Sequence, residues 1–230
     1  MQARTPPDSP PTPPCRIYLV RHGRTVWNAQ IRFRGRRDIP LDEVGRREAV
    51  EAAESLAGAG LTAVYTSPLG RARDVANAIA GRSGIDSVHD LFDLINLEYG
   101  EWEGLTKEQC AERDPELFQL YAESPEEATC PEGENLAVGA DRIVRGLREI
   151  GRRHPGERVA AVSHGAMVRL AVLRVEGPTG HDWQFKLPTG TATVFDVAGD
   201  EIALVSAPNR AHPDPRKAAA EAGAAAAANG

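Results

Sequence analysis

Arg21-His22-Gly23, Arg71 and His164-Gly165 are three groups, far apart in the chain, that share one local setting. Each follows a short apolar, β-rich run and precedes or opens a helical pattern. Their types suit one chemistry. Two guanidinium groups offer fork-shaped donors to a phosphate dianion. A neutral imidazole, His22, can attack phosphorus, while His164 stabilises charge on the equatorial oxygens. A carboxyl must then protonate the leaving oxygen, and Glu98, which opens the run Glu-Tyr-Gly-Glu-Trp-Glu-Gly at 98–104, is the expected donor. The same group would activate water in a second half-reaction. Two histidines among carboxylates would also suit a metal, but Arg21, Arg24 and Arg71 would repel a bound cation, so no metal site is expected.

Taken singly, each group has an ordinary reading. Arg21 and His22 can end a strand in a polar turn, and Arg71 can be a surface arginine. Arg71 is nevertheless poorly placed for that role, because the first turn of a helix disfavours a cation unless an anion joins it. The elements around these residues give the stronger argument. Arg16–Val20, Leu61–Thr66 and Arg158–Ser163 read as buried strands. Helical spacing follows each: from Asp42 to Leu56, from an expected Ser67 N-cap with Pro68 at the first helical position, and from Ala166 to Val175. Residues 85–88 read as a short edge strand, 105–133 as an insertion of short helices, and Glu134 to Ile150 as a long amphipathic helix. Thr191–Val197 and Glu201–Val205 form an expected hairpin turning at Gly199-Asp200. In an open α/β sheet the carboxyl ends of such strands share one rim, where ligands bind.

The 230 residues, 41% hydrophobic and 26% charged, suffice for one sizeable core. Residues 1–14 hold six prolines and read as a disordered leader, 15–212 as the domain, and 213–230 as an alanine-rich tail. A formal charge of -6 argues against nucleic acid as a partner. No run is long and apolar enough for a membrane span, and Met1 to Pro14 lack the apolar core of a secretory signal. Cys15, Cys110 and Cys130 have no metal-ligand spacing and suggest a reducing, cytoplasmic setting. Oligomeric state is left open. His89, His154 and His181 read as surface residues.

The ordered set of motifs resembles the histidine phosphatase superfamily, also called phosphoglycerate-mutase-like. It runs from Leu-Val-Arg-His-Gly-x-Thr-x-Trp-Asn at 19–28 through Phe-x-Gly-x-x-Asp-x-Pro-Leu at 33–41, Thr-Ser-Pro-Leu-x-Arg-Ala at 66–72 and the glutamate-rich run at 98–104 to Ser-His-Gly at 163–165. Asn209 and His212 resemble its closing signature. The resemblance implies an α/β three-layer sandwich with a mainly parallel central sheet and an enzyme that needs no cofactor. It implies His22 as the phosphorylated nucleophile, Arg21, Asn28, Arg71 and His164 as the phosphate pocket, and Glu98 as proton donor, with Arg34 and Gly35 approaching the rest of the substrate. Arg24 departs from the family's usual Glu or Gln and is expected to add positive charge near the pocket. Ala166 stands where mutases of the family carry Asn, and residues 105–133 contain only Arg113 as arginine. A phosphatase acting on a small phosphorylated metabolite is therefore expected. A cofactor-dependent phosphoglycerate mutase and a non-catalytic phospho-ligand-binding module are the alternatives.

Overall fold

A computed structural model describes residues 13–177 and 185–209. Most of the expected leader, the alanine-rich tail, His181 and His212 lie outside the described residues. The elements are β1 (Cys15–Arg21), α1 (Val26–Ala29), α2 (Glu43–Leu56), β2 (Ala63–Thr66), α3 (Gly70–Ser83), β3 (Val88–Asp90), α4 (Lys107–Arg113), α5 (Pro115–Glu123), α6 (Leu136–Arg153), β4 (Arg158–Ser163), α7 (Gly165–Glu176), β5 (Ala192–Ala198) and β6 (Glu201–Ser206). Together they form an α/β fold around a mixed six-stranded sheet in the order β3-β2-β4-β1-β5-β6. The first four strands pair in parallel, and β5 and β6 join antiparallel at one edge.

Alternation along the strands divides the core into two layers, because successive side chains point to opposite faces. Ile17, Leu19, Val159 and Ala161 pack with α6 and α7, whereas Val20, Val64, Ala160 and Val162 pack with α2 and α3. Full burial of each large aliphatic side chain stabilises the fold by roughly 1.5–3 kcal/mol. Among the described residues no helix is long and apolar enough to cross a membrane. All three cysteines are buried and free.

Two expectations about element boundaries are corrected. Ser67 does not cap α3. Leu69 occupies the N-cap position, and the Ser67 hydroxyl instead accepts from Leu69 N–H and faces His164. The edge strand begins at Val88 rather than Ile85. Gly84, at φ +70°, ends α3 in the left-handed region, and Ile85 N–H bonds back to Ala80 O, so Ile85 completes the helix terminus.

The site lies where β1 and β4 run side by side with Arg21 opposite Ser163. The chain leaves β1 toward α2 on one face of the sheet and leaves β4 into α7 on the other. Adjacent parallel strands whose connections diverge open a crevice at their carboxyl ends.

Candidate active site

The strand register brings the two histidines together. His22 N–H donates to Ser163 O at 2.9 Å, and the His22 and His164 rings stand 5.1 Å apart between centroids. Both side chains are buried. Burial first, then the nearby Arg71, lowers each imidazole pKa well below 6.5, so both are neutral near pH 7. Nδ1 of His22 lies 2.6 Å from Gly23 O, a carbonyl that can only accept. The proton of neutral His22 is thereby assigned to Nδ1, and Nε2 keeps a lone pair for attack. His164 is oriented from the other nitrogen, since Nε2 lies 2.8 Å from the Ser67 hydroxyl. Its Nδ1 is buried with no partner.

The arginines are pinned through Nη groups and each leaves its Nε–H open. Arg71, fully buried at the start of α3, donates from Nη1 to Arg37 O at 2.7 Å and from Nη2 to Gly35 O at 2.9 Å. Arg21 donates from Nη1 to Leu187 O, and Arg34 from Nη1 to Arg32 O at 2.8 Å. In all three the Nε–H is buried without a partner. Burial and then Arg34 push Arg21 down to about 9 and Arg71 down to about 10. These guanidinium groups are held together at an electrostatic cost that an anion would relieve. Gly165 permits the assembly, because a Cβ there would come within 3.0 Å of Arg21 Nε.

Asn28 is fixed by the cap of α1. Its Oδ1 accepts from Thr25 N–H at 3.0 Å and from the Thr25 hydroxyl at 2.8 Å, which leaves its amide N–H groups to be offered to a ligand. Gly35 contributes through its backbone. It adopts φ +52°, and a Cβ would collide with Glu103, while its carbonyl collects Arg71 Nη2 and Asn96 Nδ2. A cavity of about 210 Å³ continues from Arg21, Asn28 and Arg34 toward Lys107 and Arg169. Its walls are pinned to each other, since Phe33 N–H donates to Leu105 O and Gly104 N–H to Phe33 O.

Two expected residues sit differently. Arg24 turns away from this cavity, its Nε donating to Asp42 Oδ2 at 2.8 Å, and it does not line the cavity wall. The Glu98 side chain is 44% exposed and accepts from Arg36 Nη1 at 2.6 Å. The position beside Arg71 belongs to Asn96, which is 3% exposed, shares Gly35 O with Arg71 and has an unpartnered Oδ1. Asn96 was not anticipated, nor were Tyr99, Lys107, Tyr121 and Arg169 in the cavity wall. The one sequence signal among them is Thr106-x-x-Gln109, a capping box that fixes the start of α4 at Lys107.

Arg21, His22, Arg71 and His164 thus converge at one rim, beside a cationic cavity that contains Asn28 and Arg34. The match with known proteins agrees with that geometry. The family model for the histidine phosphatase superfamily, branch 1, matches residues 17–210. A metal-independent phosphoserine phosphatase of Arabidopsis thaliana is 38% identical over 69% of this chain and 68% of its own length. Phosphoserine phosphatase 1 of Hydrogenobacter thermophilus is 32% identical over 79% of this chain and 86% of its own. The solved structure of Bacillus stearothermophilus YhfR superposes with a TM-score of 0.77 at 28% identity, covering 86% of this chain and 98% of that one. The chain belongs to branch 1 of the histidine phosphatase superfamily and is a phosphoric monoester hydrolase of that family.

Proposed function

We propose that the protein hydrolyses a small phosphomonoester through a phosphohistidine on His22, in the manner of a phosphatase rather than a mutase. The observation that carries this reading is the set of unpartnered buried donors: Nε of Arg21, Arg34 and Arg71. Buried polar groups in native proteins are almost always satisfied. Three open guanidinium donors beside two imidazoles call for an anion with several acceptor oxygens. Neutral His22 attacks phosphorus from Nε2, with Gly23 O holding the ring as positive charge develops. The three guanidinium groups and His164 stabilise the equatorial oxygens, and the phosphorus–oxygen bond to the alcohol breaks. Water then attacks phospho-His22 and releases inorganic phosphate. The cationic surroundings disfavour a bound metal ion, in keeping with the metal-independent relative.

Proton delivery to the leaving oxygen is proposed for Glu98, which would leave Arg36, take up a proton from solvent and turn toward the rim where Asn96 stands beside Arg71. This assignment separates alkyl from aryl phosphates, since only the alkoxide is a poor leaving group. Glu98→Gln should lower alkyl phosphate turnover by about 10²–10⁴-fold and aryl phosphate turnover far less. Equal losses on both would remove Glu98 from the acid role. Ala166 at the start of α7 supports hydrolysis over mutase chemistry, as does a wall of lysine and single arginines in place of an arginine pair in the insertion. A cytoplasmic location goes with the three free thiols. Phosphate release from a panel of phosphorylated metabolites, with and without chelator, tests the whole proposal. Activity that survives chelator and disappears in His164→Ala is expected. Chelator-sensitive turnover, or isomerisation of phosphoglycerates faster than phosphate release, would overturn it.

A further inference from the structure

Asn96 is a buried polar residue that the proposed chemistry leaves without a task. Its Nδ2 donates to Gly35 O at 2.9 Å, the same oxygen that accepts from Arg71 Nη2. A carbonyl can only accept, so the amide nitrogen is fixed on the Gly35 side and Oδ1 on the other. That oxygen is buried and has no partner. We propose that Asn96 is a catalytic residue whose Oδ1 accepts a hydrogen bond from the water that hydrolyses phospho-His22. The inference rests on the phosphohistidine reading and adds the group that places the second nucleophile.

The backbone around Asn96 is fixed from two directions. The Ser163 hydroxyl donates to Leu94 O at 2.7 Å, which ties this segment to the end of β4 just before His164. Arg142 Nη2 donates to Asn96 O at 3.2 Å, and Arg36 Nε reaches the same oxygen at 3.4 Å. The carboxamide thus belongs to a segment bound to the His164 strand end, and it bonds to the loop that holds Arg71. Its missing partner must bring a hydrogen, because Oδ1 only accepts. A phosphate dianion has none to offer; water has two. A neutral acceptor also suits the place, since a fixed carboxylate there would repel the phosphoryl group. In the second half-reaction the water oxygen bonds to phosphorus, and the phosphorus–nitrogen bond to His22 Nε2 breaks with its electron pair returning to the ring. One water proton passes to the Glu98 carboxylate, which gave its own proton to the leaving oxygen. The other stays on the new phosphate oxygen, directed at Asn96 Oδ1.

Separate rates for the two half-reactions test this role. The full chain is mixed with an aryl phosphate labelled in its phosphoryl group, quenched in base over a time course and scored for phospho-His22 and free phosphate. Asn96→Leu removes the acceptor and should slow dephosphorylation by about 10–100-fold and phosphorylation by about threefold at most, so that phospho-His22 accumulates. Asn96→Asp keeps an acceptor oxygen and should hold dephosphorylation within about threefold of wild type. If Asn96→Leu does not fold, Asn96→Ala is read by the same ratio of rates. A residue that merely props Gly35 and Arg71 would slow both steps alike and leave no accumulated phosphoenzyme. That result, or dephosphorylation as slow in Asn96→Asp as in Asn96→Leu, would overturn the inference and leave the phosphohistidine reading standing. If wild type forms no phospho-His22, the phosphohistidine reading falls and the inference falls with it.

Discussion

Two buried arginine sites on this fold, Arg142 on α6 and the group of Arg21, Arg34 and Arg71, differ in how far their donors are satisfied. Arg142, on α6, donates from Nε and Nη2 to Glu134, from Nη1 to Asp93 O and Ile95 O, and from Nη2 to Asn96 O. Every nitrogen of that guanidinium is occupied. The cluster of Arg21, Arg34 and Arg71 uses its Nη groups on backbone carbonyls but leaves three Nε–H groups open. The satisfied cluster fastens the turn carrying Asn96 to α6. The unsatisfied one waits for a ligand. Burial of charge alone does not mark a site; unmet hydrogen-bonding capacity does.

Substitution sharpens this contrast. Arg71→Met should lower kcat/KM by about 10²–10³-fold, since a donor aimed at developing charge is lost. Arg142→Met should instead lower the unfolding free energy by about 3–5 kcal/mol, because it removes the shortest partner of the buried Glu134 carboxylate and strands several carbonyls. Denaturant titration and steady-state kinetics on both variants check the pair, and the contrast breaks if the two change the same quantity.

Ligand binding gives the next largest effect. Phosphate or vanadate at about 100 times its Kd should stabilise the wild type by about 2.7 kcal/mol. Thermal melts should show that gain retained by Arg142→Met and lost by Arg71→Met.

A smaller effect follows from pH. His22 and His164 have folded pKa values below their unfolded value of 6.5, so the unfolded chain binds protons that the native state refuses. Stability from these two groups is present above pH 6.5 and is lost as pH falls toward their folded values. Melts of ligand-free protein through this range should show that decline, and a His22→Gln/His164→Gln variant should show less of it.

The smallest effect is expected at Arg24. Its partly exposed pair with Asp42 is worth about 0–1 kcal/mol, and Arg24→Ala should leave kcat/KM within about twofold.

The reach of the sequence follows from the same physics. Short apolar, β-rich runs at 16–20, 61–66 and 158–163 and helical spacing between them are local signals, so the order of elements and the shared rim of His22, Arg71 and His164 were legible. Choices decided by tertiary contact were not. Ser67-Pro68 has the form of a helix start, yet the Ser67 hydroxyl is used on His164. Asn96 and Glu98 flank the buried Leu97, and only packing decides that Asn96 turns inward while Glu98 reaches Arg36. Arg24 looks like pocket charge because it adjoins His22-Gly23, but Asp42 at the N-cap of α2 draws it aside. The cavity wall combines Arg34, Tyr99, Tyr121 and Arg169 from four segments whose separation in sequence carries no distance.

The central claim is that His22 Nε2 takes the phosphoryl group. Quenching the enzyme during turnover of a labelled phosphomonoester and mapping the label tests it most directly. Wild type should carry an acid-labile, base-stable phosphate on the peptide containing His22, and His22→Ala should carry none. Label that persists in His22→Ala, or label that resists acid, would contradict it.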